Sequence, residues 1–164
     1  MLMELGGSAP IEGFPLADSR FREQSPRFSP VEPLLAYESN ETGRSEIWLR
    51  RVPGDASEPP LRVSREGGEF PLWSRDGRTL YFHNGSWLME SRVTMSVSVS
   101  VSGAPELRAA EPRQVLELDN TRVHDVGKDG RFLAVHLPEE PPVTRLEVVF
   151  NWFEELRRLV PADN

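Results

Sequence analysis

One short pattern occurs three times and constrains the fold more than any other feature of the chain. An apolar or aromatic residue, a turn of small and polar residues, and an apolar strand follow one another in Phe28–Tyr37, Trp73–Phe82 and Val126–Val135. Ser29 and Ser74 lie 45 positions apart, which is within the period of roughly 40–45 residues found in some repeat folds. The pattern predicts three strand–turn–strand units in a β-rich chain.

The turns of these units carry the residues that we single out as structural. Aspartate is suited to tight turns, and glycine takes positive φ without a Cβ penalty. The turn residues are Ser29, Ser74, Asp76, Gly77, Asp129 and Gly130. Because the two aspartates recur in the same turn, we interpret them as turn-forming residues rather than as a carboxylate cluster for acid–base chemistry.

Further strands are predicted after the first two copies of the pattern. Glu46–Arg50 and a weaker strand at Pro60–Ser64 complete the first unit. In the second unit, Asn84-Gly85 predicts a tight hairpin that leads into Ser86–Ser91, and Arg113–Leu118 closes the unit. Each unit is therefore expected to form a small antiparallel meander.

Two segments allow less regular interpretations. Met95–Ser102 alternates serine with apolar residues, which indicates a half-exposed strand, an extension of the preceding strand, or low-complexity sequence. In the third unit, Arg145–Phe150 is predicted as a strand. Asn151–Pro161 is predicted as a docked helix, capped by Asn151 and supported by a Glu154–Arg158 pair.

The three copies resemble the TolB-type, WD-repeat-like β-propeller repeat, whose core reads aromatic, Ser, Pro, Asp, Gly and an apolar strand. The resemblance covers roughly residues 14–160. Val31-Glu32 replaces Asp-Gly in the first copy, Arg75 replaces proline in the second, and Gly127-Lys128 replaces Ser-Pro in the third. The end of the chain looks like the propeller end of bacterial multidomain signalling proteins, which include serine/threonine protein kinases and winged-helix regulators.

The resemblance implies an all-β fold, a partial β-propeller of about three four-stranded antiparallel blades with a short C-terminal α-helix. The expected organisation is a flexible lead at 1–13, blades at about 14–66, 67–119 and 120–150, and a helix and tail at 151–164. Since propellers close with about 4–8 blades, two arrangements stay open. One is a homodimer that completes a six-bladed ring, and the other is a fragment of a longer chain.

No catalytic, cofactor-binding or metal-binding residues are predicted. His83, His124 and His136 lack close ligand spacing, and the repeat accounts for two of them as strand-end residues. The chain has no cysteine, no Gly-x-Ser-x-Gly motif and none of the kinase motifs. The tryptophans Trp48, Trp73 and Trp87 fall at strand positions, which favours core packing. We therefore expect a protein that is not an enzyme and needs no cofactor.

The charge and hydropathy of the chain indicate which classes of partner and which location to expect. A net charge of −7 disfavours nucleic acid, because nucleic-acid binding depends on neutralising phosphates. The sequence shows no signal peptide and no apolar run long enough to span a membrane, so a cytoplasmic location is favoured. The expected function is a non-catalytic propeller scaffold that binds a protein or peptide. The alternative is the sensor or regulatory C-terminal part of a protein kinase or transcription regulator, with the catalytic or DNA-binding domain elsewhere.

Overall fold

The computed structural model describes residues 2–3, 13–14, 20–52, 58–96 and 106–138, and every regular element in these ranges is a β-strand. Two short strands, β1 (Leu2–Met3) and β2 (Gly13–Phe14), pair with each other. Within the described part of the chain, no helix of the length and apolar character needed to cross a membrane is found. The predicted strand Arg145–Phe150 and the predicted helix Asn151–Pro161 lie outside the described residues.

The first sheet is a four-stranded antiparallel meander. It consists of β3 (Glu23–Phe28), β4 (Leu34–Ser39), β5 (Glu46–Arg51) and β6 (Leu61–Arg62), paired in that order. β4 is buried along its whole length because β3 and β5 pair with its two edges and both of its faces are covered. Pro26 lies in β3, an edge strand, where its missing N–H leaves no ladder bond unmade.

The second sheet contains five strands, one more than the sequence predicts. It is formed by β7 (Glu69–Trp73), β8 (Thr79–Asn84), β9 (Trp87–Ser96), β10 (Glu106–Ala109) and β11 (Arg113–Glu117). β9 is long enough to pair with β11 through its first half and with β10 through its second half. The alternating tract that begins at Met95 therefore continues β9 as far as Ser96, and residues 97–105 are outside the described ranges.

The third unit is described as a two-stranded hairpin, called here the third hairpin. Its strands are β12 (Thr121–Val126) and β13 (Phe132–His136). The described residues are thus all-β, as predicted, in antiparallel sheets of four, five and two strands, and no sheet closes on itself.

The second sheet is covered on both faces, which explains the continuous apolar run in β8. On one face, Trp73, Leu80, Phe82 and Val93 pack against Leu34, Ala36, Ile47, Leu49 and Val63 of the first sheet. On the other face, Leu72, Tyr81, Leu88 and Leu118 meet Val123 and Phe132 of the third hairpin. Strands that alternate between two cores need apolar side chains at successive positions.

The third hairpin is one residue shorter than the sequence match predicts. In the first and second sheets, Phe28 pairs with Leu35 and Trp73 pairs with Leu80, across six intervening residues. In the third hairpin Val126 pairs with Phe132, across five. A shift of one residue moves every side chain of a strand to its opposite face.

This shift corrects two equivalences drawn from the sequence. Phe132, rather than Leu133, occupies the position of Leu80, and its ring packs edge-on against Tyr81 at 5.0 Å. Leu133 is 64% exposed on the outward face, whereas Leu80 is fully buried. His136 pairs with Thr121, one position beyond the place that matches His83, so the two histidines are not equivalent.

Two glycines in matching turns allow a controlled test of this packing. Both have positive φ, +66° at Gly77 and +79° at Gly130, so an alanine at either position costs about 1–2 kcal/mol in backbone strain. A Cβ at Gly77 would also lie 2.3 Å from Val31 Cγ2, whereas no described atom lies within 4 Å of one at Gly130. We expect Gly77→Ala to lower the free energy of unfolding by about 1–3 kcal/mol more than Gly130→Ala.

Urea denaturation of the two variants and of the unchanged chain measures this difference. Equal losses in the two variants would contradict the contact between the first and second turns.

Candidate functional site

The first strand of each of the three units carries a β-bulge. The pairing register shifts between Gln24 and Arg27 in β3 and between Glu69 and Leu72 in β7, and β12 has a similar shift. Phe70, in the bulge of β7, has φ of +53°. An aromatic residue with positive φ is strained, and such strain is held in place by the surrounding contacts. Bulges leave backbone groups without ladder partners, so these groups need other hydrogen bonds.

Between the first and second sheets, the buried Glu38 supplies the hydrogen-bond acceptor that the bulge amide of β7 lacks. Glu38 Oε1 of β4 accepts the N–H of Phe70 at 2.8 Å, and Gln24 Nε2 and Ser45 Oγ donate to its other oxygen at 2.7 and 3.3 Å. Burial raises the pKa of Glu38, but hydrogen bonds from Gln24, Ser25, Phe70 and Ser45 outweigh burial and leave the pKa below its usual value. The carboxylate therefore stays ionised and joins the first sheet to the second.

Between the second sheet and the third hairpin, His83 likewise accepts a hydrogen bond from a backbone amide of the neighbouring unit. It lies 45 positions after Glu38, and its Nε2 accepts the N–H of Val123 in the third hairpin at 3.3 Å. Burial, and after it the positive charge of Arg122, lowers the pKa of His83. Because Nε2 accepts a hydrogen bond in the neutral ring, the ring proton is assigned to Nδ1. Nδ1 makes no hydrogen bond to any residue in the described ranges.

A cleft of about 710 Å³ opens beside His83, between the second sheet and the third hairpin. Its wall is partly aromatic, since the ring of Phe70 meets the His83 ring edge-on at 5.7 Å and the Arg122 guanidinium lies 4.2 Å above Phe70. Leu118 and Leu137 add apolar surface. We call this space the His83 cleft.

Three carboxylates surround the His83 cleft. Glu69, Glu117 and Asp119 are exposed, and none of them takes part in the ion pairs that the described residues form with one another. Arg122 is the one cationic side chain among the residues that line the cleft in the described ranges. The cleft therefore combines a negative rim with the ring of His83.

A second cleft, of about 640 Å³, lies beside the turns of the first and second units. Asp76 faces it, but Ser74 Oγ and the N–H of Arg78 donate to Asp76 Oδ1 at 2.6 and 3.1 Å. These two hydrogen bonds lower the pKa of Asp76. The aspartate is thus held by its own turn.

The residues singled out from the sequence all lie in turns, away from the His83 cleft. Ser74 Oγ accepts the N–H of Thr79 at 2.9 Å, and Ser29 Oγ accepts that of Glu32 at 3.2 Å. Asp129 accepts the N–H of Arg131 at 3.2 Å, as Asp76 does with Arg78, and this bond lowers the pKa of Asp129. Gly77 and Gly130 have positive φ. The described residues contain no group of three or more histidine, aspartate or glutamate side chains placed to hold a metal ion.

Sequence reasoning missed the roles of Glu38, Phe70 and His83. One signal was present, because Glu38 and His83 are polar residues that stand 45 positions apart at the end of apolar strands. Phe70 carried no signal, since an aromatic residue in a strand predicts extended backbone rather than positive φ.

No protein-family model matches the chain, and a search of curated proteins found no match.

The hydrogen bond of His83 predicts a specific pH dependence. The folded chain binds the His83 proton less readily than the unfolded chain, whose histidine pKa is about 6.5. The stability that His83 contributes is therefore present above about pH 6.5 and is lost as the pH falls through the lowered folded-state pKa. Glutamine at this position keeps an acceptor for the Val123 N–H and does not titrate.

Urea unfolding of the chain and of His83→Gln, measured between about pH 5 and about pH 8, tests this expectation. His124 and His136 are present in both proteins, so the difference between the two profiles isolates His83. The unchanged chain should lose stability on acidification more steeply than His83→Gln. Superimposable profiles would show that the Val123 bond does not depend on the His83 proton.

Proposed function

We propose that the chain is a partial β-propeller that acts as a non-catalytic scaffold for binding a protein or peptide. In this proposal the first sheet, the second sheet and the third hairpin belong to three successive blades. The resemblance of the three turn segments to the TolB-type repeat is one reason for this proposal. Because one fold can host many functions, the binding role is argued from the contacts below and not from the resemblance alone.

The observation that carries the proposal is the pair of matching bonds between successive sheets. Glu38 reaches the N–H of Phe70, in the bulge of β7, and His83 reaches the N–H of Val123, the residue just before the bulge of β12. The acceptors are 45 positions apart and the donors 53, the same two spacings that separate the three turns. Packed blades in one radial array require the same contact to recur at each interface, as this bond does.

Contacts between the inner strands support the same arrangement. Trp73 Nε1 donates to the carbonyl oxygen of Arg27 at 3.1 Å, which joins β7 to β3. Arg75 donates through Nε to the carbonyl oxygen of Val126 at 2.6 Å and through an NH2 group to Asp125 at 2.9 Å. β7 thus neighbours both β3 and β12, as the inner strand of a middle blade does. Arg75, which departs from the proline of the family pattern, provides this second link.

A binding role is supported by the hydrogen bonds that already occupy three of the polar side chains. His83 Nε2 is occupied by a backbone amide, and Asp76 and Asp129 are held by their own turns. A general base needs a free acceptor within hydrogen-bond reach of a substrate proton. The open clefts beside His83 and Asp76 offer shaped surfaces with a few polar groups, which is the common form of a binding site.

Selection from a random-peptide library on the purified chain tests the binding function. Selected peptides are synthesised and titrated by calorimetry, with a scrambled version of each peptide as the control. We expect saturable binding of at least one sequence, with amide chemical-shift changes confined to residues of the described sheets. A library that yields no peptide binding more tightly than its scrambled version would reject the proposal.

A further inference from the structure

We propose that the His83 cleft binds an extended basic peptide. One backbone carbonyl of the peptide accepts the Nδ1–H of His83, and a lysine or arginine side chain lies among Glu69, Glu117 and Asp119. This inference rests on the proposed peptide-binding function and adds the site and the chemistry of the ligand.

The ring of His83 supplies the first argument. The residue is only 8% exposed, lines the cleft, and keeps its proton on Nδ1 because Nε2 accepts from Val123. This N–H makes no hydrogen bond to any residue in the described ranges, so it is able to donate to a ligand. A carbonyl oxygen in the cleft would satisfy this donor, so the site favours a ligand that carries acceptors.

The charge around the cleft supplies the second argument, which is independent of the first. Three exposed carboxylates face one guanidinium, and that guanidinium is already stacked on the ring of Phe70. The whole chain carries a net charge of −7, so its long-range field also attracts cations. The ligand should therefore be positively charged.

A basic peptide combines both requirements, whereas simpler cations meet only one. A polyamine has positive charge but no carbonyl to accept from His83. A metal ion is disfavoured because the described residues contain no group of three or more histidine, aspartate or glutamate side chains placed to hold one. The volume of about 710 Å³ falls within the range of about 300–1,000 Å³ typical of ligand sites, and it admits a few residues.

The apolar wall suits the same ligand. Phe70, Leu118 and Leu137 line the cleft between the charged groups. Lysine and arginine bury their aliphatic stems along apolar surfaces while the charged head stays near the carboxylates. An alternating basic and apolar sequence matches this lining, because successive side chains of an extended peptide point in opposite directions.

The test uses three probes on the full chain: the acetylated, amidated peptide GKLKG, its acidic counterpart GELEG, and spermidine. Calorimetry at low salt should give saturable one-to-one binding of GKLKG and no saturable binding of GELEG. By NMR, the Nδ1 proton of His83 should move downfield with GKLKG and stay unmoved with spermidine, because spermidine has no acceptor.

Charge-neutralising variants locate the site. The double variant Glu117→Gln with Asp119→Asn should weaken GKLKG binding about fivefold, since exposed ion pairs contribute about 0.2–1 kcal/mol each. The matched control is Glu32→Gln with Glu41→Gln, which removes two exposed carboxylates of the first sheet and should leave the affinity unchanged.

Each contrary result has a defined meaning. Equal binding of GELEG, an equal His83 response to spermidine, or equal affinity in both double variants overturns the inference. If GKLKG fails to bind while the random library yields other peptides, the inference is wrong and the proposed function stands. If neither GKLKG nor any library peptide binds, both are wrong.

Discussion

Two matching hydrogen bonds, each from a backbone amide of one sheet to a side chain of the preceding sheet, help to fix how the sheets are arranged. Glu38 accepts one from Phe70 and His83 accepts the other from Val123. Without an acceptor, each buried N–H would cost about 1–3 kcal/mol. The bulge of β7 removes the Phe70 amide from its own ladder, so the neighbouring sheet supplies its acceptor. Apolar contact alone would hold the sheets together without fixing their relative position.

The same bond connects the fold to the proposed site. By accepting from Val123, His83 Nε2 places the ring proton on Nδ1, on a residue that lines the cleft. Glu38, between the first and second sheets, has no such donor, since an ionised carboxylate only accepts. The identity of the residue at this position therefore decides whether an interface is purely structural or also presents a donor.

Much of the local structure follows from the sequence. The strands that became β5, β6 and β11 were predicted within one or two residues at each end. The all-β class of the described residues was also predicted. These features depend on turn chemistry and on apolar runs, which act over a few neighbouring residues and can be read from them directly.

Three features could not be read from the sequence. The third hairpin pairs across five residues instead of six, β9 divides its edge between β10 and β11, and Phe70 takes positive φ. The turn Gly127–Arg131 matches Ser74–Arg78 in its Asp-Gly-Arg, so its sequence gave no sign of a shorter register. The aromatic contact of Phe132 with Tyr81 is made in the shorter register, where Phe132 takes the place expected for Leu133.

The sequence by itself determined where the chain turns, which segments are strands, and which side chains are apolar. Only the tertiary structure decided which face each strand of the third hairpin presents, and hence that Leu133 is exposed while Phe132 is packed. It also brought His83, Phe70 and Asp119 to one cleft. The physical reason is range: turns form from contacts over a few residues, whereas register and clefts depend on packing between residues that lie tens of positions apart.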